Sequence, residues 1–417
     1  MRGETKGDSL DILRDILGSQ SSTWSGKTVT LKTAVQVSAA FACARVISEG
    51  LATMPFRVMR QRPSKVSAVN MEILPDLNHS LYDKLVAQPN DIQSAFEFME
   101  TVGLHLAFCG NAFIWIPRVS GAIDQLYVLE PRWVTMSYVY PSPPTYQVRI
   151  DGRQSMELAA EDVWHIRGPS WTSYLGLEFI TIAREALGLS MALEEGQNRM
   201  QGQGVRTSGF ISIDGVLQDE QQRKLKKWLE DEHMGSQNIG RPMILDRAAK
   251  WVSQSMSNVE AQASESRQIQ IEEVCRFMRV MPIMVGAGAQ GATYASAEQL
   301  FLAHLVHTLG PWVARVESSA NRWLLTPKDR GQGRYCKLNE KVLHRMTAND
   351  QMEFLRNGAY AGIVTRNEAR ADLSMNPLPG LDEPLTPVNE VAGPPPTVAK
   401  PSGPAPFIDA PKPAAAA

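Results

Sequence analysis

The segment Gly286-Ala287-Gly288-Ala289-Gln290-Gly291-Ala292-Thr293-Tyr294-Ala295 constrains this chain more than any other, because of what stands on either side of it. Before it, Ile271, Val274, Cys275 and Met278 recur at the three- and four-residue steps of one helix face, over about Val259–Met278. After it, Ser296-Ala297-Glu298-Gln299 has the serine-to-glutamine spacing of a capping box. The helix it would open runs to Leu325, about 45 Å at 1.5 Å per residue. Pro311 lies inside that helix and is expected to kink it, since proline has no amide proton to give. The loop between the two helices holds no lysine, arginine, aspartate or glutamate.

Gly286, Gly288 and Gly291 match the G-x-G-x-x-G dinucleotide fingerprint. That fingerprint works only with a strand before it, a helix directly after, and a second parallel strand whose acidic residue reaches the ribose. Here a helix precedes the glycines, and no strand is expected after the helix that follows. The segment therefore reads as a flexible loop, and no cofactor is expected. His304 and His307 share one helix face, a spacing that suits a metal in principle, but no carboxylate nearby completes a ligand set. His165, His233 and His344 are isolated. No P-loop, nucleophile elbow, HExxH or paired-carboxylate spacing is present, so neither a metal nor a catalytic site is expected. Cys43, Cys109, Cys275 and Cys336 lie far apart and read as buried small hydrophobes.

The chain has 417 residues, enough for two or three domain-sized units. Its 42 basic and 44 acidic residues nearly cancel, for a formal charge of −2. A protein that grips nucleic acid through many phosphates needs a basic surface, so this balance argues against gripping but not against letting a duplex slide past. The first residues are too charged for a secretory signal, and no run reaches the roughly 18 apolar residues that would cross a bilayer. A soluble protein made in a cytoplasm, with no membrane partner, is expected.

Residues 1–30 read as a polar arm around the short amphipathic piece Leu10–Leu17. One helix fits residues 33–54, with Ala40, Cys43, Ile47 and Leu51 on one side and Pro55 at its end, followed by a strand at Phe56–Arg60. Ser94 and Glu97 form a capping box for a helix to about Cys109. Strands are expected at Ala112–Pro117, Gln125–Leu129, Val134–Tyr138, Tyr146–Ile150 and Val163–Ile166, giving an α+β unit over 31–170. A helix from Leu177 to about Gln201 leads into a β–α–β stretch: strands at Gly209–Ile213, Pro242–Leu245 and Trp251–Ser253 around a charged helix, Asp219–His233. On that helix Arg223, Lys224, Lys226 and Lys227 are balanced by Asp219, Glu220, Glu230, Asp231 and Glu232. A solvated face and a protein-docking surface are equally good readings of it. Two short helices, Thr347–Asn357 and Thr365–Leu373, precede a Pro/Ala-rich tail that cannot bury a core.

The order of these segments resembles the portal proteins of long-tailed bacteriophages. Four stretches carry the resemblance: Ala39–Val46 through Leu51–Phe56; Gly110–Ile114 with Leu126–Pro131; Ile271–Phe277 with Thr308–Trp312 and Val316-Glu317; and Gly362–Arg370 before Asn376-Pro377. Two details depart from the family pattern, Met281-Pro282 in place of two prolines and Gly176-Leu177 where a Ser-Pro pair usually follows the glycine. The resemblance implies an α+β portal-type fold with a wing at 31–175, stem helices at 176–203 and 255–281, and a β–α–β clip at 204–254. It further implies a tunnel loop at 282–296, a long kinked helix returning to the wing at 297–345, a short helical crown at 346–380, and a disordered tail at 381–417. It implies a homo-oligomeric ring, typically of twelve subunits, at one capsid vertex within the major capsid protein shell, and no enzymatic activity. Double-stranded DNA would pass through it, moved by the terminase large subunit, and a head–tail adaptor would dock later. The DNA-facing residues would be Gly286, Ala287, Gly288, Gln290, Gly291, Thr293 and Tyr294, and the docking residues Asp219, Arg223, Lys224, Lys227 and Trp228. A cofactor-dependent enzyme using the glycine loop, and a tail or adaptor component, are the competing readings.

Overall fold

The computed structural model describes residues 23–63, 71–139, 142–150, 155–202, 209–212, 220, 223–224, 227, 250–253, 257–287, 294–343, 348–373 and 375–385. The chain divides into two compact units, Met1–Leu343 and His344–Ala417.

The first unit opens with two helices where one was expected. α1 (Leu31–Gln36) and α2 (Ser38–Thr53) are separated by Val37, whose backbone is extended. A reciprocal cap between Thr30 and Thr33 satisfies the free amides of α1. The face of α2 carrying Ala40, Cys43, Ala44, Ile47 and Leu51 is fully buried, as its periodicity predicts. Beyond Pro55, β1 (Phe56–Pro63) pairs with β2 (Met71–Pro75), a strand the sequence did not announce. α3 (Ser80–Val86) precedes α4 (Ala95–Cys109), which opens on the expected box: the Ser94 hydroxyl accepts the Glu97 amide and the Glu97 carboxylate accepts the Ser94 amide at 2.8 Å.

α2 and α4 pack closely because Gly103 leaves room. A Cβ built on Gly103 would lie 2.6 Å from the Ser48 Cα, a distance no side chain tolerates. Phe98, Val102 and Leu106 of α4 complete the buried seam.

The strands that follow are all antiparallel. β3 (Asn111–Trp115) lies between β6 (Tyr127–Leu129) and β10 (Val163–Arg167), with Phe113 opposite both Leu129 and His165. β4 (Arg118–Val119) and β5 (Ala122–Ile123) form a small hairpin. β7 (Val134–Ser137), β8 (Thr145–Val148) and β9 (Met156–Leu158) make a second three-stranded sheet. Phe113, Leu129, Tyr146, Val148, Leu158 and Val163 form a satellite core there, separate from the main helical core.

α5 (Phe179–Ile182) and α6 (Arg184–Gly202) follow, then β11 (Gly209–Ser212) paired with β12 (Lys250–Ser253), then α7 (Ser257–Met278). The strand expected at Pro242–Leu245 lies outside the described residues. Val274, Cys275 and Met278 of α7 enter the core against α2.

The long helix after the glycine loop differs from expectation at both ends. α8 (Tyr294–His304) begins at Tyr294, so Ser296 lies inside its first turn rather than ahead of it. A π turn, Leu305–Leu309, joins α8 to α9 (Gly310–Trp323), which ends two residues before Leu325. The expected kink at Pro311 is accommodated by that π turn. The Gly310 amide reaches the Leu305 carbonyl, five residues back, and Pro311 occupies the first turn of α9, where its missing donor costs least.

A helix does not continue to residue 345. α10 (Pro327–Gly331) leads to β13 (Arg334–Leu338), which runs antiparallel to β1 with Phe56 opposite Leu338 and Val58 opposite Cys336. The expectation of no strand after the long helix was therefore wrong. The outer edge of β13 is covered by α9: the Asn321 side-chain oxygen accepts the Cys336 amide at 2.6 Å, and the Glu317 carboxylate accepts the Leu338 amide at 2.8 Å. Four residues of helix rise about 6 Å and two residues of strand about 6.7 Å, so the two pairs align.

The second unit holds α11 (Ala348–Tyr360) and α12 (Arg366–Asp372). Thr365 and Glu368 cap α12 reciprocally, as their spacing predicts. Asn367 pins the following segment, donating to the Leu378 carbonyl at 2.9 Å and the Asp382 carboxylate at 2.7 Å while accepting the Leu378 amide at 2.9 Å.

Candidate functional site

The candidate loop begins where α7 ends. Arg279 takes a left-handed conformation, φ +56°, in the place where helices usually end on glycine. Its amide reaches the Arg276 carbonyl, and the Val280 amide reaches that of Cys275 at 3.0 Å. The Arg279 carbonyl accepts the Thr308 hydroxyl at 2.6 Å, which ties the end of α7 to the π turn. Pro282–Val285 then form a short 3-10 turn closed by Gly286 at φ +78°, a conformation that suits glycine. Gly286 is exposed and Ala287 half-buried. Gly288, Gln290, Gly291 and Thr293 lie outside the described residues, and Tyr294 is the first residue of α8.

This context is not that of a dinucleotide site. A helix and a 3-10 turn precede the glycines, and the next strand, β13, is antiparallel to its neighbour and follows the whole of α8 and α9. His304 is buried, which holds its imidazole below the usual range, while His307 is exposed. Among the described residues no group of three His, Cys, Asp or Glu is placed to hold a metal.

Beside the loop's base, a cavity of about 150 Å³ is lined by Leu106, Leu177, Phe179, Phe277, Pro311 and Trp312, among others. Phe277 and Ile182 remain about 40% exposed on its rim. Phe301, Leu302 and Val306 do not line it and are 58%, 52% and 54% exposed. A chain with two such apolar surfaces in different places suits head-to-tail association between copies.

Of the docking candidates, Arg223, Lys224 and Lys227 are helical and exposed, and Asp219 and Trp228 lie outside the described residues. Glu220 is likewise helical and exposed.

One buried constellation escaped the sequence reading. His165 is not isolated: its Nδ1 is 3.2 Å from the Tyr146 hydroxyl and its Nε2 is 3.1 Å from the Asn111 side-chain oxygen. That oxygen also accepts the Gly176 amide at 2.7 Å, and the Asn111 side-chain nitrogen donates to the Cys109 and Gly176 carbonyls at 2.9 and 3.1 Å. Because the Asn111 oxygen faces His165, Nε2 must carry the proton and Nδ1 must accept from Tyr146. Burial, and secondarily the Arg167 charge, push the imidazole down to about 3, so it stays neutral. The network joins β3, β8 and β10 to the segment leading into α5 and α6. Gly110 (φ +64°) allows the approach, since a Cβ there would meet the Leu177 carbonyl oxygen at 2.1 Å. The adjacent Gly110-Asn111 pair reads as a turn in sequence, but nothing local points to His165 or Gly176.

Comparison with known proteins fits this architecture. Residues 38–373 match the family model described as phage portal protein. The chain is 30% identical over 372 residues to the probable portal protein of Streptomyces phage phiC31, covering 86% of this chain and 79% of that one. It is 28% identical over 352 residues to the portal protein of Enterobacteria phage HK97, covering 84% and 81%. Among solved structures, one from the neck of a native gene transfer agent particle, computed with C12 symmetry, superposes with a TM-score of 0.56 at 22% identity, covering 84% of this chain and 93% of that one. An HK97-family phage portal protein from Corynebacterium diphtheriae gives 0.53 at 15% identity, covering 77% and 100%. The family match and the phiC31 relative both span most of the sequence, and the chain belongs to the phage portal protein family.

Proposed function

We propose that this chain is the ring subunit at one capsid vertex through which double-stranded DNA enters during packaging and leaves at ejection. The family match over residues 38–373 carries this reading. The loop between α7 and α8 supports it chemically. Each phosphate contact made in a conduit must be broken again, so a lining without fixed charge favours passage over holding. Residues 286–295 have no ionisable side chain except the neutral Tyr294 phenol. The residues proposed to face DNA are Gly286, Ala287, Gly288, Gln290, Gly291, Thr293 and Tyr294.

Residues 31–175 serve as wing, 176–203 and 255–281 as stem, 204–254 as clip and 346–380 as crown. The cavity at Phe277 and Trp312, with the separate apolar surface at Phe301, Leu302 and Val306, supports a ring contact between unlike faces. The exposed cations Arg223, Lys224 and Lys227 support the clip as the docking surface for the terminase large subunit and then for a head–tail adaptor. The ring is seated in the shell of major capsid protein.

The loop assignment is tested by adding charge. With Gln290→Lys and Thr293→Lys together, DNA packaged by the cognate motor moves more slowly at low salt and recovers as salt rises. Packaging that is unchanged at every salt concentration removes the loop from the channel.

A further inference from the structure

Cys43 of α2 and Cys275 of α7 are 232 residues apart in sequence, yet their sulfurs are 3.6 Å apart. Both are buried, at 0% and 1% exposure, and both are reduced. Cys109 and Cys336 have no such partner among the described residues. A thiol pair this close on two packed helices forms a disulfide once an oxidant reaches it, because the sulfurs need to approach by only about 1.6 Å.

A cleft opens one helical turn from the buried pair. A cleft of about 40 Å³ between α2, α6 and α7 is lined by Ala39, Ile271 and Gln270, among others. Ala39 precedes Cys43 by one turn and Ile271 precedes Cys275 by one turn. The cleft exceeds the space one water needs, and is far too small for a peptide disulfide or a protein thiol. The oxidant that fits is hydrogen peroxide.

We propose that Cys43 and Cys275 are a peroxide-responsive dithiol that closes into a disulfide and locks α2 to α7. Cys275 acts first, as its thiolate is stabilised by a hydrogen bond from Cys43, whose own thiol is pushed up by that bond and by burial. The Cys275 thiolate attacks one peroxide oxygen, the O–O bond breaks, and the departing hydroxide takes up the Cys275 proton as water. The Cys43 sulfur then attacks the Cys275 sulfenic sulfur; the S–O bond breaks and that hydroxide leaves with the Cys43 proton. Two thiols are oxidised by two electrons and one peroxide is reduced to two waters. The linkage closes a loop spanning most of the first unit, which removes freedom from the unfolded chain. Burial shields the disulfide from bulky reductants while the protein stays folded.

The test treats the full chain, purified under reducing conditions and then freed of reductant, with graded hydrogen peroxide. Peptide mapping after thiol blocking is expected to find a Cys43–Cys275 linked pair and a mass lower by two hydrogens. The oxidised protein is expected to melt several degrees higher, with the gain lost on reduction after unfolding. Cys43→Ser abolishes the linked peptide and Cys109→Ser leaves it in place. Sulfinic or sulfonic acid at Cys43 or Cys275 with no linked peptide overturns the proposal, as does a linkage through Cys109 or Cys336. The mapping on the unsubstituted protein decides the matter even if Cys43→Ser fails to fold, and it does not depend on ring assembly.

Discussion

The Thr308 hydroxyl donates to the Arg279 carbonyl at 2.6 Å, so the side chain of a π turn holds the end of the preceding helix across the base of the loop. Arg279 itself stands at φ +56°, which costs a non-glycine residue about 1 kcal/mol. Thr308→Val keeps the shape and leaves that carbonyl without its partner, for an expected loss of about 1–2 kcal/mol in urea unfolding. Arg279→Gly is expected to leave stability unchanged or raise it by up to about 1 kcal/mol. A loss on Arg279→Gly would mean that the arginine side chain makes a contact that outweighs its backbone strain.

Gly103 and Gly196 make a paired test of the helix seam. Gly103→Ala drives a Cβ into the Ser48 backbone and is expected to cost about 1–3 kcal/mol. A Cβ at Gly196 of α6 meets nothing within 4 Å, so Gly196→Ala is expected to be neutral or stabilising by up to about 1 kcal/mol. Equal effects in chemical denaturation would contradict the α2–α4 packing described above.

Buried His165 and half-buried His105 set an acid limit. Burial lowers His165 to about 3 and His105 to about 4, both below the ordinary 6.5. The unfolded chain therefore takes up protons first. The stability these groups contribute is fully present above about pH 6.5 and is lost as pH falls toward 4 and then 3, at up to about 1.4 kcal/mol per pH unit for each group. The melting temperature is expected to fall steadily from pH 6.5 to 4, and less steeply in His105→Gln. A flat profile over that range, or the same slope in the variant, would remove His105 as a cause.

The Asn111 amide is expected to matter more than its size suggests. Asn111→Ala unpairs the Gly176 amide, two carbonyls and His165 at once, and each buried group left without a partner costs about 1–3 kcal/mol. The substitution should therefore lower stability by several kcal/mol. Asp124 is exposed, and Asp124→Asn serves as the comparison, expected within about 0.5 kcal/mol of the unsubstituted protein. Similar effects from the two substitutions would show the network to be idle.

What was legible in the sequence was local. Ser94 with Glu97, and Thr365 with Glu368, announce helix starts because both partners lie within one turn. Pro55 marks the end of α2 for the same reason. Ser296 with Gln299 has the same spacing but lies inside a helix already begun, so spacing alone cannot distinguish a cap from a first turn. Partners distant in sequence were invisible. β13 pairs with β1 across almost the whole first unit, Asn111 meets His165 and Gly176 through the fold, and Cys43 meets Cys275 only because α2 packs on α7. The π turn was missed because Pro311 predicts a fault in the helix without saying how the backbone absorbs it. The helical surroundings of the loop were legible, since α7 precedes it and α8 follows it where the glycine motif needs a strand in front.

The clip proposed at residues 204–254 offers a test of partner binding apart from assembly. Reversing charge with Lys224→Glu and Lys227→Glu is expected to weaken terminase or adaptor binding, measured at two salt concentrations, while leaving the assembled state unchanged. Docking affinity equal to that of the unsubstituted protein would exclude this helix from the surface.

A ring of subunits closed around a passage for DNA, as proposed here, would be seen in negative-stain electron micrographs of the purified full-length protein. Closed rings with an axial channel, converting to smaller species when Phe301 and Val306 are both replaced by Asp, are the predicted result. Compact monomers or dimers of the unsubstituted protein at every concentration would contradict it.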